Sequence, residues 1–188
     1  PTHMGDLDAL RALVDTTIDR FGRLDILVNN AATALREDIG SFTPDAYAKS
    51  MDVNLRGPVF LVEASIPHLA ESPSAAIVNV ISAGAFLFAG FTATYAAAKA
   101  ALFSYTRAWA AELAPRGIRV NALAPGSVDT DMMRANPAEA QERMAQAGLL
   151  RRTAHSDEMV GPALFLASDA SSFVTGQVLI ADGGLVPH

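Results

Sequence analysis

The stretch AIVNVIS, residues 76–82, is a short apolar run in which hydrophobic and polar residues do not alternate. Such a strand is typical of a parallel sheet that is covered on both faces, because neither face meets water. Three further runs have the same character: LDILVNN at 24–30, IRVNALA at 118–124 and QVLIA at 177–181. We therefore expect four strands of one buried parallel sheet.

Segments in which apolar residues recur at helical spacing separate these runs. Asp6 and Thr43 suit the N-caps of the first two segments, and Pro115 with Gly117 ends the third. The predicted helices cover residues 6–21, 44–69, 92–114, about 137–147 and 156–168. Alternating strands and helices predict an α/β fold, a Rossmann-like doubly wound parallel sheet with helices on both faces.

Composition limits the partners of the protein. The sequence is 51% hydrophobic, and no repeat or linker divides it, so we expect a single domain over residues 1–188. The formal net charge of -6 disfavours a nucleic-acid partner, which usually requires a basic surface. No apolar run approaches the roughly 18 residues of a membrane span, and no secretory signal begins the sequence. We expect a soluble cytoplasmic protein.

Metal chemistry is not predicted. The chain has no cysteine, which excludes disulfides, thiol nucleophiles and thiolate metal sites. None of the four histidines shows the close spacing of a zinc-binding helix. These histidines are His3, His68, His155 and His188.

Three of the predicted strands end in polar or turn-forming residues. Asn29-Asn30-Ala31 follows the first run, Ser82 ends the second, and Pro125-Gly126 follows the third. Ligands of such sheets bind beyond the carboxyl ends of the strands, and these ends lie at one edge. The sequence thus predicts a binding site at this rim.

Tyr95 and Lys99 are four residues apart in the alanine-rich segment TATYAAAKAAL, and the chain has only two lysines. On a helix the two side chains share a face. A neighbouring ammonium would lower the pKa of a phenol from about 10 toward the neutral range and make it an acid–base group. The alternative is a half-buried aromatic residue beside a solvated surface charge.

The chain resembles the short-chain dehydrogenase/reductase family in several motifs and in their order. The motifs are Asn29-Asn30-Ala31, Ser82, Tyr95 with Lys99, and PGSVDT at 125–130, and the resemblance runs from residue 3 to about 184. It implies an oxidoreductase that transfers hydride between NAD or NADP and a small-molecule ketone or secondary alcohol. The residues that would select NAD or NADP are not among those matched.

The resemblance implies four catalytic residues. Tyr95 would donate or accept the proton, and Lys99 would lower the pKa of Tyr95 and bind the nicotinamide ribose. Ser82 would polarise the substrate oxygen; its alternative role is to cap local backbone. Asn54 would hold a water through its backbone carbonyl, which Pro58, having no N–H, leaves without its usual helical partner. Pro58 could instead simply kink the helix.

The resemblance also implies a set of cofactor-binding residues and no metal. The set comprises His3, Met4, Asn29, Ala31, Tyr95, Lys99, Pro125, Gly126, Val128 and Thr130. Val128 and Thr130 would meet the carboxamide of the nicotinamide, and Asn29 and Ala31 the nucleoside end. Ala32 stands where the family more often has glycine.

The beginning of the sequence departs from the family. Family members have a glycine-rich turn that approaches the pyrophosphate of the dinucleotide, and no such turn precedes a helix at the start here. We expect roughly the first quarter of a family member to be missing, which leaves the C-terminal three quarters of its Rossmann domain. The residues could lie outside the given sequence, could have been removed, or the natural chain could be short; the first two are favoured. A non-catalytic remnant or assembly partner is therefore the alternative to an active enzyme.

Substrate and assembly are less well defined. Residues 84–88 and 131–150 would line the substrate site, and the apolar residues Phe86–Phe88 suggest a hydrophobic ketone or alcohol, or simply a packed connection. The family implies a homodimer or homotetramer, commonly through helices equivalent to 44–69 and 92–114. Small residues on the second helix would allow close approach, or would pack on the sheet; they are Ala97, Ala101 and Ala108.

Overall fold

The computed structural model of the protein describes residues 2–88 and 90–186. Its four strands form one parallel sheet in the order β1-β2-β3-β4. The strands are β1 Ile26–Asn29, β2 Ala75–Val80, β3 Ile118–Pro125 and β4 Val178–Ala181. The predicted parallel α/β sheet is confirmed, and each strand lies within about two residues of its expected bounds.

Two helices begin at the caps that the sequence predicts. The Asp6 side chain accepts a hydrogen bond from Ala9 N–H, that of Thr43 accepts one from Ala46 N–H, and Gly22 ends the first helix at a φ of 73°. In chain order the helices are α1 Leu7–Phe21, α2 Pro44–Met51, α3 Gly57–Leu69, α4 Ala93–Leu113, α5 Asp131–Arg134, α6 Ala138–Ala147 and α7 Val160–Ala167. None of the helices in the described ranges is long and apolar enough to cross a membrane.

Helices cover both faces of the sheet, as expected for a doubly wound fold. On one face α4 packs on β2 and β3 and α3 packs beside it on β1. Ile77 of β2, Val120 of β3 and Leu102 of α4 are fully buried there. On the other face Leu166 of α7 packs on Val78 and Leu123. The two layers bury the central strands completely, which explains their unbroken apolar sequence.

The edge strand β1 is less buried than its sequence predicts. Ile26 is 43% exposed and Val28 46% exposed, so the expectation that this run is buried on both faces is wrong for these two residues. They lie on the face that α7 covers at β2 and β3, since Val28 pairs with Val78. Helix α7 packs on β2 and β3, and no described helix covers this side of β1.

The predicted helix at 44–69 is two helices joined by a π-helical turn, Asp52–Arg56. In this turn Gly57 N–H bonds to the carbonyl of Asp52, five residues back. A Cβ on Gly57 would lie 2.3 Å from the Met4 carbonyl oxygen, so the segment that precedes α1 crosses the helix directly at this glycine. The break predicted from Pro58 therefore exists, but it is a widened turn rather than a simple kink.

Candidate active site

The carboxyl ends of β1, β2 and β3 bring the predicted site residues to one rim. Asn29 is the last residue of β1, Ser82 follows β2 by two residues, and Pro125 ends β3. Parallel pairing of Asn29 with Asn79 and of Val80 with Leu123 aligns these ends. Helix α4 begins at the same rim, where it carries Tyr95 and Lys99 on its first two turns.

Lys99 is buried beneath this rim. Its side chain is only 1% exposed, and Nζ donates a hydrogen bond of 2.8 Å to the carbonyl of Val80. Nζ also lies 5.8 Å from the centre of the Tyr95 ring. Burial lowers the Lys99 pKa from 10.5 to about 8, because the charged form is poorly solvated. The alternative of a solvated surface lysine is excluded.

Tyr95 differs from its expected electrostatic state. Burial raises the pKa of its hydroxyl, and the contact with the Ser82 side chain acts in the opposite direction without cancelling it. The expected net lowering of this pKa is wrong for this structure, because burial outweighs the Ser82 contact and Lys99 is not among the causes of the shift. The Lys99 ammonium donates to Val80 instead of to the phenol oxygen. Tyr95 therefore keeps its proton at neutral pH and is a proton donor in this state.

Ser82 has the capping role that the sequence left open, and its predicted role on the substrate oxygen stays a prediction. Its Oγ accepts a hydrogen bond of 3.1 Å from Gly84 N–H and caps a short 3₁₀ turn, Ala83–Ala85. Because the hydroxyl acts as acceptor in that bond, its own proton is available for a second oxygen. The cap thus orients a donor toward the Tyr95 side of the rim.

Asn54 is completely buried in the π-helical turn, and its side chain holds the segment after β1. Nδ2 donates to the carbonyls of Thr33 and Ser50, each at 2.8 Å, and Oδ1 accepts from Thr33 N–H at 3.0 Å. Sequence reasoning considered only the backbone carbonyl and missed this two-point clip on Thr33. The water expected at the Asn54 carbonyl stays a prediction.

Comparisons with known proteins show which proteins the chain is similar to. A family model described as enoyl-(acyl carrier protein) reductase matches residues 2–186. The 3-oxoacyl-(acyl-carrier-protein) reductase of Thermotoga maritima is 38% identical over 182 residues, which are 96% of this chain and 74% of that protein. The chain belongs to the short-chain dehydrogenase/reductase family.

Two further relatives show the range of this family. A probable galactose dehydrogenase of Rhizobium meliloti is 36% identical over 182 residues, 96% of this chain and 71% of the relative. The crystal structure of a gluconate 5-dehydrogenase from Burkholderia cenocepacia, in complex with NADP and tartrate, matches with a TM-score of 0.92 at 36% identity. That match covers 97% of this chain and 72% of the solved chain. NAD and NADP are the cofactors of the short-chain dehydrogenase/reductase family.

Asn29, one of the cofactor residues implied by the family, faces the interior. It is 3% exposed and donates to Asn79 Oδ1 at 2.8 Å, and Asn79 donates to Thr106 Oγ1 at 2.9 Å. This buried chain of side chains ties β1 through β2 to α4. Ala31, two residues further on, is exposed at the rim, where a ligand can reach it.

Val128 and Thr130, two predicted cofactor residues, lie on the segment that follows β3. Asp129 N–H bonds to the Ala154 carbonyl and Ala154 N–H to the Ser127 carbonyl, both at 2.9 Å, in an isolated parallel bridge. In such a bridge the N–H and carbonyl of Val128 point away from Ala154. Thr130 caps α5 by accepting from Met133 N–H at 3.3 Å. The Val128 carbonyl accepts a hydrogen bond of 3.4 Å from Thr130 Oγ1, so the N–H of Val128 is the group that fits the oxygen of a nicotinamide carboxamide.

Other predicted cofactor residues have mainly structural contacts. Gly126 follows Pro125 at the rim, and a Cβ there would lie 2.7 Å from Asp182 Cα, so the turn after β4 packs against it. His3 is exposed and Met4 packs against the cluster of α1 and α3. Both lie where the chain crosses Gly57.

No group of three or more histidine, aspartate or glutamate residues that could hold a metal occurs within residues 2–88 and 90–186. His188 lies outside these ranges. The loop proposed for the substrate is only partly packed: the ring of Phe86 lies edge-on to Phe103 at 5.6 Å, whereas Phe88 is fully exposed.

Proposed function

We propose that this protein is a nicotinamide-dependent oxidoreductase that interconverts a ketone and a secondary alcohol, with Tyr95 as its acid–base residue. The observation that carries the proposal is the buried cation of Lys99 under Tyr95, with the Ser82 hydroxyl beside the tyrosine. An ordinary packed aromatic residue does not require a lysine that is 1% exposed.

The side chains divide the proton chemistry between them. In reduction, Tyr95 donates its proton to the carbonyl oxygen of the substrate, and Ser82 donates a hydrogen bond to the same oxygen. In oxidation, Tyr95 must take up the alcohol proton as phenolate. Lys99 then has a positive charge close to the ring, provided that the pH lies below its pKa of about 8.

NAD or NADP supplies or accepts the hydride when bound. Val128 would present its backbone N–H to the carboxamide, and Lys99 would bind the ribose through the ammonium that now bonds to Val80. Asn54 supports this arrangement by fixing the exposed segment that includes Ala31. No glycine-rich turn precedes a helix N-terminus within residues 2–88 and 90–186. Because such a turn would bind the pyrophosphate, dinucleotide binding has to be measured on the 188-residue chain itself.

The substrate class follows the family in part. The names of the relatives indicate substrates with 3-oxoacyl groups and sugar-like substrates. These substrates share a carbonyl or alcohol group, whereas the rest of the substrate molecule differs between them.

A cytoplasmic location and a homodimer or homotetramer are further proposals. Exposed Ala97 and Ala108 on α4 support close packing of two such helices rather than packing on the sheet.

The test is binding followed by turnover. NADH and NADPH are titrated against the fluorescence of the single tryptophan, Trp109, and thermal unfolding is followed in parallel. Ethyl acetoacetate and D-galactose then serve as probes for reduction of a 3-oxo compound and oxidation of a sugar. We expect one dinucleotide to bind and one probe to react. A folded protein that binds neither dinucleotide would favour the alternative, a non-catalytic member of the family.

A further inference from the structure

Three segments that leave the rim of the sheet meet at one residue, Arg36. This residue lies on the segment after β1, and its Nη1 donates a hydrogen bond of 2.7 Å to Asn136 Oδ1, just after α5. Its guanidinium carbon lies 5.5 Å from the ring centre of Phe91, on the connection after β2. The neighbouring Glu37 N–H bonds to the Phe91 carbonyl at 2.9 Å. We call Arg36, Phe91 and Asn136 the mouth cluster.

Phe91 has a backbone conformation that needs external support. Its φ of 63° lies in the left-handed region, which bulky side chains rarely occupy. Strained residues of this kind persist only when surrounding contacts hold them, and they concentrate at functional sites. Arg36 and Glu37 provide such contacts from another segment. Since Phe91 is four residues before Tyr95, the strain lies immediately before the helix that carries the proton donor.

Asn136, at the other end of the mouth cluster, is fixed to helix α5. The Asn136 amide donates to the carbonyls of Met132 and Met133, at 3.1 and 2.9 Å, and so closes the end of α5. Helix α5 begins at the Thr130 cap, next to the backbone of Val128. Arg36 therefore links the approach to Tyr95 with the segment expected to meet the nicotinamide.

A simpler explanation is an incidental surface contact, because exposed cation–aromatic pairs contribute little. The chain has such a pair at the end of α1, where the guanidinium of Arg20 lies 5.2 Å from the ring centre of its neighbour Phe21. That pair joins no separate elements. Arg36 instead bonds to a residue 100 positions away, and a second backbone bond accompanies its aromatic contact.

We propose that Arg36 is a positioning residue of the catalytic site, which holds the connection before Tyr95 in the arrangement that admits the substrate. The inference rests on the proposed function. Arg36 acts through Phe91 and takes no part in proton transfer. Its removal is therefore expected to weaken use of the substrate while the bond-making groups Ser82 and Tyr95 stay intact.

Hydrogen–deuterium exchange tests this link without any substrate. We compare wild type, Arg36→Ala and the matched control Arg20→Ala, and follow peptides that contain residues 86–92 and 131–136. In Arg36→Ala both peptides should exchange roughly tenfold faster, the change expected when a contact of about 1.4 kcal/mol is lost. Arg20→Ala should leave them unchanged. Equal exchange in wild type and Arg36→Ala would overturn the proposal.

Steady-state kinetics test the consequence for catalysis. With saturating dinucleotide and the reactive probe, Arg36→Ala should raise KM roughly tenfold and change kcat less than about threefold. Phe91→Leu should have the same effect, and the double variant should be no worse than either single one, because both remove one interaction. Additive effects, or a loss of kcat at constant KM, would overturn the assignment.

Two further outcomes are distinguishable. If Arg36→Ala does not fold, Arg36→Lys, which keeps the charge but not the planar fork, is measured instead and should show a smaller effect in the same direction. If wild type turns over no probe, the oxidoreductase proposal fails, whereas the exchange experiment still decides whether Arg36 holds the connection.

Discussion

Lys99 and Arg36 are two cations at the same rim of the sheet, and they are held in opposite ways. Lys99 belongs to the back wall of the site, defined here as Ser82, Tyr95 and Lys99, and is 1% exposed. Arg36 belongs to the mouth cluster, is exposed, and is held by one side-chain hydrogen bond and one aromatic contact. Burial alters the acid–base properties of the back wall, whereas the mouth depends on a few contacts that a single substitution can remove.

The largest effect is expected from removal of the back-wall hydroxyl. Tyr95→Phe should lower kcat by about 10²–10⁴-fold, since the substrate oxygen loses its proton donor while the ring and its packing stay. The measurement is steady-state turnover, with dinucleotide affinity followed separately. Tyr105→Phe is the control, because Tyr105 lies on the same helix but packs on Trp109 at 5.0 Å. Near-normal turnover by Tyr95→Phe would show that the back wall does not supply the proton, and the contrast with the purely positioning mouth cluster would be lost.

The buried charge of Lys99 should appear as a pH dependence of stability. Its folded pKa is about 8 and its reference value 10.5, so between these pH values the unfolded chain binds more protons than the folded one. The free energy of unfolding of wild type should therefore rise with pH across this window relative to Lys99→Met, by about 3 kcal/mol in total. Urea denaturation at pH 7 to about pH 10 measures the difference.

Lys49→Met is the control for that experiment, because Lys49 is the other lysine of the chain and is exposed. Its stability should follow that of wild type at every pH. If the unfolding free energy of Lys99→Met follows the same pH profile as wild type and Lys49→Met, burial does not lower the Lys99 pKa. The back wall would then have no altered acid–base group to distinguish it from the mouth cluster.

The smallest of these effects is expected from Asn54→Ala. The variant leaves the N–H and carbonyl of Thr33 without their side-chain partner and should cost about 2 kcal/mol of unfolding free energy. Exchange should accelerate in the segment after β1, while peptides that contain Lys99 keep their protection. The exposed Asn30→Ala should change stability by less than about 0.5 kcal/mol. Loss of protection around Lys99 in Asn54→Ala would show that the back wall depends on the segment after β1, which also carries Arg36 of the mouth cluster.

Sequence patterns predicted the elements of this fold because each pattern reports a local or short-range requirement. Unbroken apolar runs marked the central strands, and the caps at Asp6 and Thr43 marked two helix starts. The same rule was wrong for Ile26 and Val28, since apolar sequence shows what a face can bury and not whether a helix lies over it. The π-helical turn was recognised only as a break at Pro58.

In the site, too, local sequence spacing predicted some features and packing set the others. Spacing placed Tyr95 and Lys99 on one helix face, which the structure confirms, but spacing does not set where the ammonium points. The bond to the Val80 carbonyl does. Burial of the hydroxyl, which spacing does not predict either, raises the Tyr95 pKa instead of lowering it. The clip from Asn54 to Thr33 had no signal beyond an asparagine at a helix break.

The sequence by itself determined the alternation of strands and helices, the rim at which they converge, and the identity of the groups available for proton transfer. These follow from periodicity, turn residues and side-chain chemistry, which act over a few positions along the chain. Only the tertiary structure decided the burial of Lys99, the upward shift of the Tyr95 pKa and the link between Arg36 and Asn136. Desolvation and contacts between distant segments depend on what packs around a residue, and that is settled only when the chain folds.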